Sequence, residues 1–146
     1  MLSSDAIALL SGHFPLSAVD ADGEGQVRYH FNRPFRFALT EIDRQTIALF
    51  APLDLPADVA GDEALYRLLE ANLQGVETGF GALCRGDGGQ IGYRDVVHLG
   101  PLRLEAFQLR FVDFSLYHEF WRSEGLPRLI EDLRRDDPSG DGFFRL

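Results

Sequence analysis

One cysteine, Cys84, occurs in the chain of 146 residues, so no intramolecular disulfide and no cysteine-rich zinc site can form. The opening residues "MLSSDAIALLSGHF" lack a basic region, and their apolar run is too short for a signal peptide. No stretch reaches the roughly 18 apolar residues of a membrane span. These absences predict a soluble cytoplasmic protein. Positive charge is also scarce: 14 basic residues stand against 23 acidic ones, for a formal net charge of −9 and a pI of about 4.8. That balance argues against nucleic acid, whose phosphates need a basic patch, and against anionic membrane surfaces. No phosphate-binding Gly-Lys loop and no nucleophile elbow is present.

Incomplete motifs add little. "DADGEG" sets Asp20, Asp22 and Glu24 in EF-hand-like positions, but the place of the bidentate Glu is held by Phe31, and the stretch reads as a solvated turn. His13, His30, His98 and His118 have no metal-ligand spacing. Cys84 lies in an apolar stretch beside Arg85 and reads as an inert thiol. "RGD" at 85–87 is three common turn residues. Neither a metal nor a cofactor is expected.

What is abundant is apolar: 45% of residues are hydrophobic and twelve are Phe, enough for a core or an adhesive surface. The length favours one domain, expected over 1–135, with a flexible tail at 136–146. Helical periodicity predicts a helix over 3–12, capped by Ser3 or Ser4, with apolar rows Ile7-Leu10-Phe14 and Leu2-Ala6-Leu9. A turn-rich loop follows at 19–26. Alternation predicts strands at 27–31 and 35–42, and the continuous apolar run 46–53 predicts a strand covered on both faces. A helix over 63–73, capped by Asp58 or Asp62 and closed by Gly75, carries Leu65, Leu69 and Leu73 in one row. Strands at 78–85 and 90–97 flank "GDGG". A long helix from 102 to about 123 has two apolar stripes, one of them Leu109, Val112, Leu116 and Phe120, and ends at Gly125; a short helix covers 126–135. The order helix, three strands, helix, two strands, helix is an α+β fold with a largely antiparallel sheet.

Leu68-Leu69, Ala71-Asn72-Leu73, Thr78-Gly79, Gly81, Leu83, Gly89, Ile91 and a final helix carrying Phe111, Val112, Phe120 and Trp121 together resemble the class I type III secretion chaperones, the Tir-chaperone family. The resemblance implies a non-enzymatic bacterial protein, homodimeric and without cofactors. Its partner would be the N-terminal region of a secreted effector, kept non-globular for export. The extension past the final helix departs from the family pattern.

Two surfaces are expected on that basis. The dimer should use Leu65, Leu69 and Leu73 with Phe80 and Leu83, with Gly79 and Gly81 allowing close approach of the partner. Cargo should dock on Ile7, Leu10, Phe14, Phe31, Phe35 and Phe37, left partly exposed beside an edge strand at 27–31. Two alternatives stand beside this reading: a small enzyme or ligand-binding domain using Cys84, His98 or His118, and a chaperone-like regulator that sequesters an activator.

Overall fold

The computed structural model describes residues 1–59, 61–75 and 77–136; of the tail expected at 136–146, Asp136 belongs to the last helix and 137–146 lie outside the described residues. Helix α1 (Ser3–His13) leads into strands β1 (Leu16–Ala21), β2 (Val27–Phe31), β3 (Phe37–Asp43) and β4 (Thr46–Pro52). Helix α2 (Asp62–Gln74), strands β5 (Ala82–Arg85) and β6 (Ile91–His98), and helix α3 (Leu104–Phe120) follow. A π-turn (Trp121–Gly125) runs directly into helix α4 (Leu126–Asp136). All neighbouring strands are antiparallel, in the order β1-β2-β3-β4-β6-β5.

The α+β expectation holds, with an additional strand. β1 lies partly in the stretch expected to be a loop. Every β1 residue is exposed, so the strand carries no burial-driven alternation. It is held instead by its partner and its turn. Arg28 and His30 reach Asp20, each at 3.1 Å, and the Asp22 carboxylate accepts the backbone N–H groups of Glu24 and Gln26, both at 2.9 Å. The acidic residues of "DADGEG" therefore build a turn. The arginine and histidine hydrogen bonds also lower the Asp20 pKa.

Alternation explains the sheet. Tyr29, Leu39, Leu49 and Ile47 belong to one face, and its inner members Leu39, Ile47, Leu49, Ala51, Tyr93 and Val97 are buried in a core closed by Ala6 and Leu10 of α1 and by Phe107, Phe111 and Phe114 of α3. The other face carries Ala48, Phe50 and Pro52 of β4, and among the described residues no helix lies over it. β4 is thus apolar on both faces but covered by helices on one, which corrects the expectation of double burial.

Helix ends also differ in detail. The N-cap of α1 is Leu2, whose N–H donates to Asp5 at 2.8 Å, while Ser3 is drawn inward to donate to Glu41. Gly61 caps α2, and Asp58 pairs with Arg134 of α4 at 2.9 Å. Gly75 takes the left-handed conformation at φ 71°, as expected of a C-terminal glycine. Gly125 does not end the helix. It lies against Trp121, where a Cβ would come within 2.5 Å of the indole, so the residue is small for packing. Trp121 donates to the carbonyl of Glu77 at 2.8 Å and ties the π-turn to the segment after α2. In the 78–85 region only Ala82–Arg85 pairs as a strand, and the residues before it form turns against α3.

Candidate functional site

The two edges of the sheet are treated differently. Along β5 lies α2, and the Asn72 carboxamide takes both free backbone groups of Leu83: its Nδ2 donates to the carbonyl at 2.6 Å and its Oδ1 accepts the N–H at 2.8 Å. A side-chain amide has the donor and acceptor of a peptide group, so Asn72 closes that edge as a neighbouring strand would. β1, at the other edge, pairs with β2 on one side and, among the described residues, with no strand on the other. The free edge is therefore β1, where the sequence predicts 27–31. The prediction missed it because β1 itself was unrecognised.

Beside that edge the helix-side face of the sheet is not fully covered. Val19 stands opposite Tyr29 and Ala21 opposite Val27, on the same face as buried Leu39. Val19 is 53% exposed, and Leu16 and Val27 are exposed too. The three form an apolar shelf that runs from the rim of the core to the open backbone of β1.

The expected cargo residues divide at this rim. Leu10, Phe31 and Phe37 are buried, which overturns their expected exposure. Phe37 stacks on Phe31 at 4.7 Å and on Phe35 at 4.8 Å between ring centroids, and meets Phe14 at 5.5 Å and Phe111 at 5.1 Å edge-on. α3 reaches over β3 and supplies the rings that a short α1 alone could not. Ile7, Phe14 and Phe35 are half-buried at the border of this cluster. Leu16, Val19 and Val27 were missed; their alternation with polar neighbours was the signal, obscured in β1 by the acidic turn.

The expected dimer residues divide as well. Leu83 is buried and so not free to meet a partner, while Leu65 is half-buried against the core. Leu83 points inward because it lies opposite Tyr93, on the core face of β6. Leu69 is exposed, with Leu73 88% and Phe80 67% exposed. Arg110 lies over the Phe80 ring, 4.2 Å from its centroid, while donating to both oxygens of buried Asp95 at 2.7 and 2.8 Å. Phe80 is thereby fixed against α3, whose outer row Leu109, Val112 and Leu116 is also exposed. The sequence shows that row at i, i+3, i+7, a stripe that the structure leaves unburied.

Gly79 and Gly81 serve the chain's own packing, contrary to a partner-approach role. Gly79 has φ 56°, and a Cβ there would lie 2.4 Å from the Tyr117 ring; one on Gly81 would lie 2.5 Å from the carbonyl of Arg94. The Tyr93 hydroxyl, whose pKa burial raises, donates to the carbonyl of Thr78 and accepts the N–H of Gly81 at 3.1 Å. The points of likeness from Asn72 to Gly81 are thus one construction that seats α2 against β5.

Cys84, His98 and His118 do not assemble. Cys84 pairs with Gly92 of β6, six positions from His98, a separation of roughly 20 Å along the strand. His118 lies on the helix side, buried, with Nε2 2.9 Å from the carbonyl oxygen of Pro52. Burial pushes the Cys84 thiol pKa up, with Arg94 only partly offsetting it. Cys84 should therefore react with iodoacetamide at neutral pH several-fold more slowly than free cysteine; faster reaction would restore a nucleophilic role. Among the described residues no three His, Cys, Asp or Glu side chains converge as a metal set, and no helix is long and apolar enough to cross a membrane.

Comparison with known proteins follows the same outline. No curated protein matches the sequence. A chain in the crystal structure of the ExsC-ExsE complex has the same fold, with a TM-score of 0.57 at 20% identity, covering 84% of this chain and 94% of that one. The model of the Tir chaperone protein (CesT) family matches residues 5–113, from α1 into α3 and across the whole sheet. The chain belongs to the Tir chaperone protein (CesT) family.

Proposed function

We propose that the protein is a non-enzymatic, homodimeric chaperone of type III secretion that acts in the bacterial cytoplasm. It holds the N-terminal segment of an effector in an extended, export-ready form. The observation that carries this reading is the open edge of β1 beside the shelf of Leu16, Val19 and Val27, with the opposite edge already closed by Asn72. An extended segment added to β1 gains backbone hydrogen bonds along its length, and its alternate apolar side chains reach the shelf and the rim residues Ile7, Phe14 and Phe35. Such binding needs neither ATP nor a covalent step. Family membership and the similar fold in the ExsC-ExsE complex support it.

The test is co-expression with candidate effectors followed by purification of the complex. Val19→Asp should reduce cargo retention by about tenfold or more, because a carboxylate on the shelf must be desolvated when the strand docks. The substitution is made at an exposed position, so the circular dichroism spectrum and thermal midpoint should not change. Full retention by Val19→Asp and by Val27→Asp would place the cargo elsewhere.

The dimer is assigned to Leu69, Leu73 and Phe80 with the neighbouring outer row of α3. The exposed apolar side chains Leu69 and Leu73 of α2, Phe80, and Leu109, Val112 and Leu116 of α3 support that assignment, because a two-fold related copy would bury them. Light scattering at micromolar concentration should give twice the 16.4 kDa chain mass. Leu73→Glu combined with Phe80→Glu should give a folded monomer, since both side chains already face solvent. A wild-type monomer, or a double variant that stays dimeric, refutes the assignment.

A further inference from the structure

The sheet face opposite the helices is a shallow basin of about 530 Å³, lined by strand and loop residues from β2 through β5. Its charge runs against that of the chain. Arg28, Arg36, Arg85 and Arg94 line it together with His30, in a protein of net charge −9. Arg28 is held by Asp20, and Asp22 lies at the same end. Away from the basin, Arg67, Arg110, Arg122, Arg128, Arg134 and Arg135 are each engaged by an acidic residue of the chain, while Arg33, Arg44 and Arg103 are dispersed and converge on no common surface with an aromatic ring. Among the described residues, Arg36 and Arg94 have no such partner, and both are exposed; Arg85, opposite Ile91, belongs by alternation to the helix-side face and meets the basin only at its edge. Phe50 pairs with Arg94 on one side and with Ala38, two residues past Arg36, on the other. Its ring occupies the space over Gly92 and Gly86, where an added Cβ would come within 2.3 and 2.8 Å of the ring. Two missing side chains thus let an aromatic ring lie on the sheet on the same face as two uncommitted guanidinium groups.

We propose that this basin binds a short, extended, acidic polypeptide segment of a partner protein, with carboxylates on Arg36 and Arg94 and an apolar side chain on Phe50. Guanidinium forks pair with carboxylates in two parallel hydrogen bonds, and the sheet supplies a flat floor. From β2 to β5 the basin spans roughly 19 Å, the length of about six extended residues. That size favours a peptide over nucleic acid. A longer polyanion would run from the basin onto a surface that is acidic overall and be repelled. The site lies on the opposite face of the sheet from the β1 shelf and does not require it.

Fluorescence anisotropy with a labelled peptide alternating Glu and Phe tests the proposal on the full-length protein. Saturable binding that weakens as salt rises is expected. Arg36→Glu with Arg94→Glu should weaken it about tenfold or more and create binding of the corresponding Lys-Phe peptide. If that pair disturbs folding by circular dichroism, Arg36→Gln with Arg94→Gln should still weaken the acidic peptide severalfold without the new preference. Val19→Asp should bind the acidic peptide as wild type does. Loss of cargo by Val19→Asp with acidic-peptide binding intact separates the two surfaces. Absence of acidic-peptide binding while cargo is retained overturns the basin assignment alone. Three other results overturn it as well: equal binding of the Lys-Phe peptide by wild type, tighter binding of a single-stranded oligonucleotide, and conversion of a wild-type dimer to monomer by the arginine variants, which would make the basin an interface between copies.

Discussion

Phe37→Ala is expected to destabilise the protein by about 3–5 kcal/mol, the range for deleting a large buried aromatic side chain. The residue is 2% exposed and its ring meets those of Phe14, Phe31, Phe35, Phe111 and Phe114. These rings come from α1, β2, the turn before β3, and α3. Collapse around the vacancy would need four separate elements to move together, so most of the cavity would persist. At roughly 2–4 °C per kcal/mol for a domain near this size, the thermal midpoint should fall by about 10 °C. Phe35→Ala, at the half-buried border of the cluster, should lower it less. Phe37→Asp should prevent folding rather than produce a folded chain that has lost its cargo, which is the outcome the expectation of exposure required. A Phe37→Ala melting curve within a degree or so of wild type would mean that the ring cluster is not the keystone of this end of the molecule.

The second large effect is expected at Arg110. Its guanidinium donates to both oxygens of Asp95, and Asp95 is 2% exposed on the core face of β6. Arg110→Met leaves that carboxylate buried without its counter-ion, which costs about 3–5 kcal/mol in comparable sites. Asp95→Asn should cost less, because Arg110 is partly exposed and can turn its charge toward water. Asp95→Leu with Arg110→Met should recover most of the loss, since neither member then leaves an unpaired charge. Chemical denaturation of wild type, Arg110→Met, Asp95→Leu and the double variant supplies the cycle, and simple additivity would show that the pair is not coupled. Arg110→Met also removes the cation from the face of Phe80, so it should weaken the proposed dimer by about 0.5–1 kcal/mol beyond its effect on folding.

Much of the architecture was legible because it follows from local periodicity. β2, β4 and β6 alternate or run apolar over lengths typical of strands, and the apolar stripes of α3 return every three or four residues. Gly75 ends α2 in the left-handed conformation, as its position predicts. β1 was missed because an edge strand with every residue exposed carries no burial pattern, and its acidic end reads equally well as a loop. The continuation through Gly125 was missed because glycine at a helix end has two physical uses. Here it makes room for Trp121 rather than reversing the chain.

The surfaces were legible in kind and not in membership. Composition showed more apolar side chains than one short helix could hide, but not that α3 would fold Phe111 and Phe114 onto Phe37 while leaving Leu109, Val112 and Leu116 outside. The leucine row of α2 divides in the same way. Leu65 packs half-buried on the core, whereas Leu73, two turns on, faces solvent.

The sequence by itself determined the class of protein. An acidic chain with one cysteine, abundant phenylalanine, a strand-rich half and a long aromatic helix builds an α+β domain, and the ordered run from Leu68 to Trp121 carries the family likeness. These properties depend on residue type and near-neighbour spacing. Tertiary structure alone decided which sheet edge remains open, which phenylalanines are exposed, and which arginines lack partners. Each depends on residues distant in sequence: Asn72 closes β5 only because α2 is set beside it, and the exposed basin exists because, among the described residues, the helices lie away from one face. Burial and edge pairing belong to the assembled sheet, and no local window of the chain contains them.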